Sequence, residues 1–91
     1  DEDDAAAAVP AVLWASVLFQ FSKCFRFSNT GHNRAAEMLT WMQDIALCRP
    51  EALEFVNRKE LIENITTPTA QAKQAMGVSD SIVKSTLVAL R

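Results

Sequence analysis

The sequence is poor in the residues that interrupt regular structure. It has two glycines and three prolines among 91 residues, too few for the closely spaced turns of a β-rich fold. Good helix formers such as alanine, leucine, glutamate and glutamine recur throughout instead. With 49% hydrophobic residues, the chain has enough apolar side chains for one modest core. We therefore predict a single all-α domain over 1–91, with about five helices.

Residues that carry chemistry are also scarce. His32 is the only histidine, so a histidine-based metal cluster or a Ser-His-Asp triad cannot draw on a second histidine. Two glycines are too few for a Gly-rich phosphate loop. The acidic series at Glu51, Glu54, Glu60 and Glu63 has the spacing of an ordinary solvent-facing helix surface. The sequence thus predicts a protein that is not an enzyme and that has no metal and no cofactor.

The two cysteines lack the CxxC spacing of metal and redox sites. Cys24 and Cys48 lie near the C-terminal ends of two successive predicted helices, which places them at opposite ends of an antiparallel hairpin. A rise of about 1.5 Å per residue then separates them by about 15–20 Å, beyond the reach of a disulfide. We predict two reduced core thiols, which favours an intracellular, soluble protein.

The net charge of −2 conceals an uneven distribution. Asp1, Glu2, Asp3 and Asp4 hold four of the eleven acidic groups, within a predicted flexible acidic and alanine-rich tail over 1–9. Without those four, nine basic residues stand against seven acidic ones, so the body of the chain is weakly positive. This balance is compatible with a nucleic-acid partner and does not require one.

An uncharged run extends from Ala5 to Ser22. Its length is marginal for a membrane span and it contains Pro10 and Ser16. We prefer a core helix that starts near Pro10 and ends near Phe27, and we do not expect a membrane as a partner. Because this helix is apolar on almost all sides, a domain of this size can hardly cover it. The run therefore predicts self-association or a helical protein partner.

Aromatic residues of the first helix are candidate interface anchors. They are Trp14, Phe19, Phe21 and Phe25. Trp41 and Phe55 are further candidates, since buried aromatic side chains dominate the energetics of many interfaces. Packing in the chain's own core is the alternative for each of them. An interface built on these residues implies an assembly subunit, for example of a capsid-like array.

A polar turn over 28–31 separates the first helix from a second one over 33–49. The apolar residues of the second helix step by three and four, the period of one buried stripe: Met38, Trp41, Met42, Ile45 and Cys48. The two helices form a predicted apolar hairpin over 10–49, which ends at Pro50 because the residue before a proline disfavours helical geometry.

The remaining residues, 50–91, are predicted to form a unit of three helices. The first of these breaks near 57–59, and a short second helix covers 70–76. Gly77 ends the short helix in the left-handed conformation, and Ser79 caps a last helix that runs to the end of the chain.

The last two helices carry a pattern of small and apolar residues. Its members are Gly77, Val78, Ser79, Val83, Leu87 and Leu90. In this pattern the stretch resembles the helix-turn-helix of bacterial regulators, especially the winged-helix GntR type, over about a quarter of the chain. In that family the helix that begins at the serine enters the major groove of DNA. The apolar members share one face, so Ser81, Lys84, Ser85 and Val88 are predicted to face outward.

The resemblance implies double-stranded DNA as a partner. By position, it implies these contact residues: Gln71, Ser79, Ser81, Lys84 and Ser85. Lys73 and Asp80 depart from the pattern, since the family places a small residue at the first position and a carboxylate at the second repels phosphates. The prediction is thus a nucleic-acid-binding protein that self-associates. The alternative is a non-catalytic assembly subunit, in which the last two helices are a plain packed hairpin.

Overall fold

The computed structural model describes residues 9–27 and 34–91, which are helical and contain no strand. The helices are α1 (Ala11–Phe27), α2 (Ala35–Cys48), a 3-10 helix (Pro50–Phe55), α3 (Arg58–Thr66), α4 (Ala70–Ala75) and α5 (Asp80–Leu90). The predicted all-α class is confirmed. Positions 1–8 of the predicted tail, the turn over 28–31 and His32 lie outside the described residues. Within those ranges, no helix combines the length and the apolar character needed to cross a membrane.

Side-chain caps explain where α3, α4 and α5 begin. The side-chain oxygens of Asn57, Thr69 and Ser79 accept hydrogen bonds from backbone N–H groups three residues on, at 3.2, 3.0 and 3.3 Å. Each bond satisfies an N–H group that has no partner within the first helical turn. The predicted cap at Ser79 is confirmed, and the predicted break near 57–59 corresponds to the interval between the 3-10 helix and α3.

Gly77 forms the turn between α4 and α5. Its φ of 72° lies in the left-handed region, as predicted. The N–H of Gly77 donates to the carbonyl of Gln74 at 3.0 Å, and the N–H of Val78 donates to that of Lys73 at 2.9 Å. These two bonds form the Schellman motif, which satisfies carbonyl groups at the end of a helix. The turn is therefore built from local backbone bonds and one residue without a Cβ.

α1 packs against α2, the 3-10 helix and α3. Ala15, Leu18, Ser22 and Phe25 form its buried face, at spacings of three and four residues. Phe25 is fully buried within its own chain. This corrects its prediction as an interface anchor, because none of its surface is left for a partner.

The buried face of α2 is shifted from the predicted stripe and shares Met42 with it, while Met38 and Ile45 of the stripe are partly buried against the core. The buried residues are Ala35, Leu39, Met42 and Ala46. Trp41 remains 41% exposed, and Cys48 is exposed as well. The predicted stripe consists of larger side chains, whereas two alanines, Ala35 and Ala46, form much of the face that meets the core. Cys24 is also exposed, so the predicted core position of both cysteines is wrong, while both are unpaired.

α5 packs most extensively against α2 and less against α3. Its buried residues are Val83, Thr86 and Leu90. Since α2 belongs to the predicted N-terminal hairpin and α5 to the predicted C-terminal unit, the two parts share contacts in one core. The Arg49-Pro50 step therefore separates two stretches of sequence and not two independently packed units.

Candidate functional surfaces

A buried polar network fixes α1 on α3. Asn64 Nδ2 donates to Ser22 Oγ at 3.1 Å, and Asn64 Oδ1 accepts from Arg26 Nη1 at 3.0 Å. Ser22 Oγ in turn donates to the carbonyl of Phe19 at 2.7 Å. Ser22 is fully buried and Asn64 is 2% exposed, so water does not compete for the bond between these two side chains. The network sets the side of α1 that lies next to α3 and thereby positions Phe19.

Phe19 lines a groove of about 300 Å³ between α1 and the chain that links the 3-10 helix to α3. Val12, Phe55 and Val56 supply most of its remaining apolar lining. Phe55 is 59% exposed. The ammonium group of Lys23 lies 5.4 Å from the centre of the Phe19 ring, a distance at which a cation is attracted to an aromatic face. The groove is thus an apolar concavity with charge at its edge.

A second concavity, of about 250 Å³, lies where the start of α1 meets the end of α2. It is lined by Trp14, Asp44, Ile45, Cys48 and Arg49. The indole Nε1 of Trp14 is buried and has no hydrogen-bond partner among the described residues. Trp14 as a whole is half-buried, and its ring forms part of the lining of this concavity.

Both concavities lie at the end of the molecule where α1 begins, one beside the start of α3 and the other beside the end of α2. Arg58 Nη1 donates to the carbonyl of Arg91 at 2.7 Å. This bond places the end of α5 next to the start of α3, at the same end of the molecule. Five of the exposed large apolar side chains belong to these helix termini, and we call this region the apolar end: Val12, Leu13, Leu47, Phe55 and Val88. The other two exposed large apolar side chains in the described ranges are Phe27 and Trp41. Phe27 lies fourteen residues beyond Leu13 along α1, about 21 Å away.

Phe21 lies between α1 and α2, where its ring centroid is 5.9 Å from that of Trp41, with an angle of 38° between the ring planes. Like Trp14 and Phe19, it is half-buried and packs against the core. Three of the four predicted anchors of α1 therefore keep some exposed surface, and Phe25 keeps none.

The outward face of α5 is polar, with one apolar side chain. Ser81, Lys84 and Ser85 are exposed, and Val88 is 72% exposed. This agrees with the predicted outward positions. Gln71, the remaining predicted DNA contact, is exposed on α4. The structure therefore brings three of the five predicted contacts onto one face of α5.

Two of the predicted DNA contacts already use their hydroxyl groups within the chain. Ser79 Oγ accepts the capping bond at the start of α5. Ser85 Oγ accepts from Gln43 Nε2 at 3.0 Å and donates to the carbonyl of Ile82 at 3.1 Å. Gln43 Nε2 also donates to Thr86 Oγ1 at 2.8 Å. Gln43 therefore ties α2 to α5 at the edge of the outward face.

The two residues that depart from the GntR-type pattern lie next to each other. Lys73 Nζ is 3.7 Å from Asp80 Oδ1, and the side chains are 19% and 82% exposed. Their ion pair spans the turn between α4 and α5 and places a cation beside the carboxylate in the first turn of α5. A lysine in place of the family's small residue is thus accommodated at the edge of this turn.

Comparisons with known proteins do not extend these observations. No family model, curated protein or solved structure matches the chain. The likeness to the GntR-type pattern stays a prediction. In the part of the chain that the structure describes, no group of three or more His, Cys, Asp and Glu side chains could hold a metal ion. The predicted lack of enzymatic activity stays a prediction as well.

Sequence reasoning missed two residues that join helices and one exposed residue of the apolar end. Asn64 had a signal, because it lies between Leu61 and Ile65 on the buried face of α3. Leu47 also had a signal in the sequence. It falls outside the three-and-four spacing of the apolar residues predicted for α2, which indicates an exposed apolar side chain. Gln43 had none, because its role depends on the position of α5, which only the folded chain defines.

Proposed function

We propose that the chain is a non-catalytic assembly module that associates with copies of itself through the apolar end. One observation carries the proposal: five of the seven large apolar side chains that are exposed in the described ranges belong to the helix termini that meet at that end. Single exposed apolar residues are ordinary in a monomer, whereas a group of them at one place is typical of an interaction site. Removal of such a surface from water favours association.

Phe55 is the expected anchor of this surface. It is 59% exposed and stands beside the groove that Val12 and Phe19 line. Aromatic side chains near the centre of an interface carry a large share of the binding energy. Full burial of such a side chain contributes on the order of 1.5–3 kcal/mol. Several apolar residues must therefore be buried together to outweigh the entropy lost on association.

A pair of matched substitutions tests the proposal. Phe55 and Phe27 are 59% and 61% exposed and lie toward opposite ends of α1. We expect light scattering after size exclusion to show a mass above the 10.1 kDa of one chain, rising with concentration. Phe55→Asp should return the chain to a monomer because it places a charge in the interface, whereas Phe27→Asp should not.

Circular dichroism of both variants checks that their helix content is unchanged. A wild-type chain that stays monomeric at about 1 mM, where even a weak affinity shows, contradicts the proposal. Equal loss of association in the two variants contradicts the choice of the apolar end.

A second candidate function is binding of double-stranded DNA through α5. A specific observation favours it: α4 and α5 are each capped and are joined by a left-handed glycine, and the outward face of α5 presents Ser81, Lys84 and Ser85. A polar helix face with a cation is suited to phosphate and base contacts in the major groove. The first turn of α5 also carries the carboxylate of Asp80, which its pairing with Lys73 offsets in part.

Fluorescence anisotropy with a labelled duplex of mixed sequence tests this second function. Affinity should fall steeply with salt, because bound phosphates release counterions. Lys84→Ala should weaken binding to all sequences and reduce the salt slope by about 1. Lys59→Ala is the matched control, since Lys59 is also exposed but belongs to α3. Absence of binding at low salt rules the function out.

A further inference from the structure

The apolar end carries charges of both signs beside its apolar side chains. Its cations are Arg49, Arg58, Lys59 and Arg91, and its carboxylates belong to Asp44, Glu51, Glu54 and Glu60. No ion pair within 4.0 Å joins these groups among the described residues. The ion pair that the described residues do contain joins Lys73 to Asp80. Four cations and four carboxylates are thus present in this region without being paired to each other within 4.0 Å.

This charge pattern discriminates between classes of partner. A strongly anionic surface, such as a phosphate backbone, would be repelled by the four carboxylates as it is attracted by the four cations. A second copy of the same surface presents carboxylates that can pair with the cations of the first copy. It also presents cations that can pair with the carboxylates of the first copy. In a two-fold interface every contact occurs twice, so complementary charges in one surface are used on both sides.

The location of the apolar side chains limits the number of copies. Five of them lie at one end, whereas Phe27 and Trp41 are the two that lie elsewhere in the described ranges. Association that uses the same surface on both copies consumes that surface and closes after two. If the apolar end of one copy instead bound a different surface of the next copy, one apolar end would always stay free. A further copy could then bind to it, and the assembly would not close.

We propose that two copies meet through their apolar ends, head to head across a two-fold axis, and form a closed dimer in which Phe55 of each copy is covered by the other. The inference rests on the proposed self-association and adds the identity of the facing surface and the number of copies. Val88 and Leu47 lie at the rim of this contact, at the ends of α5 and α2.

The two native cysteines report on this geometry. Cys48 is exposed and lines the concavity beside Trp14 at the apolar end, whereas Cys24 is exposed in the opposite half of α1. Leu13 and Cys24 are eleven residues apart, about 16 Å along the helix. In a head-to-head dimer the two Cys48 thiols approach each other and the two Cys24 thiols point away from the contact.

Cross-linking with a short bismaleimide, together with light scattering on the same samples, tests the inference. We expect Cys24→Ser, which retains Cys48, to give a covalent dimer in high yield. Cys48→Ser, which retains Cys24, should give several-fold less. Addition of Phe55→Asp to the Cys24→Ser variant should abolish the product, while Phe27→Asp should leave it.

Each other outcome has a defined meaning. A dimeric mass in which Cys24 cross-links, or in which Cys48 does not, overturns the head-to-head arrangement and leaves self-association in place. A mass that grows past two copies overturns closure. A chain that remains monomeric at all concentrations overturns both this inference and the proposed function.

Discussion

α1 and α5 are built alike and differ in what surrounds them. Each buries apolar residues together with one hydroxyl side chain, Ser22 in α1 and Thr86 in α5. Ser22 meets the buried amide of Asn64, and Thr86 meets the half-buried amide of Gln43. The bond between Asn64 and Ser22 is buried, while the second network borders the surface because Gln43 also bonds to the exposed Ser85.

This difference shows that equal hydrogen bonds do not contribute equally to stability. A buried polar group that loses its partner stays unsatisfied, whereas water replaces a lost partner at the surface. α1 packs against three elements, α2, the 3-10 helix and α3, and therefore tolerates little change on its inner side. α5 keeps one side in solvent, and changes there should act on binding more than on folding.

Removal of the largest buried side chain of α1 should have the largest effect. Phe25 is fully buried, so Phe25→Ala leaves a cavity and is expected to lower the free energy of unfolding by about 3–5 kcal/mol. Urea unfolding at a fixed protein concentration measures this value. Phe27→Ala, two residues away and exposed, should change it by less than about 1 kcal/mol. Similar costs for the two variants would show that Phe25 is not in the core.

Loss of the buried amide should come next. Asn64→Ala removes the bonds to Ser22 and Arg26 and leaves a polar group of Ser22 without that partner in a dry site. We expect a loss of about 2–3 kcal/mol in the free energy of unfolding, measured in the same way. A loss below about 1 kcal/mol would mean that water reaches the network after all.

The corresponding loss of an amide beside α5 should have the smallest effect on the free energy of unfolding. Gln43→Ala removes the bonds to Ser85 and Thr86, but Gln43 is half-buried and water can take its place. The expected loss is about 0.5–1 kcal/mol, since exposed hydrogen bonds contribute little net stability. A cost equal to that of Asn64→Ala would remove the distinction between the two helices.

The sequence predicts those parts of the fold that depend on neighbouring residues. The serine cap at Ser79 and the left-handed Gly77 each act within four residues, and both are confirmed. The outward side of α5 follows from the helical period in the same way. These features need no knowledge of the rest of the chain, which is why a pattern of residue types was sufficient.

The features that were missed depend on which helices meet. The buried side of α2 is set by close packing at Ala35 and Ala46, and alanine gives a weak signal of burial in a sequence. Phe25 looked equivalent to Phe19 and Phe21 because α1 is apolar on almost every side. The grouping of Leu47, Phe55 and Val88 at one end could not be predicted, since it follows from how separate helices assemble.

The bonds among Ser22, Asn64 and Arg26 have a consequence for the uniqueness of the fold. A helix that is apolar all round can be rotated about its own axis and still bury a similar amount of surface. The hydrogen bonds to Asn64 form at one rotation only, since they require Ser22 and Arg26 on the same side. Replacement of all the polar members by apolar residues of similar size should preserve the helix content and yield several coexisting orientations of α1. In that case the polar network selects one rotation of α1 among several that bury a similar amount of apolar surface.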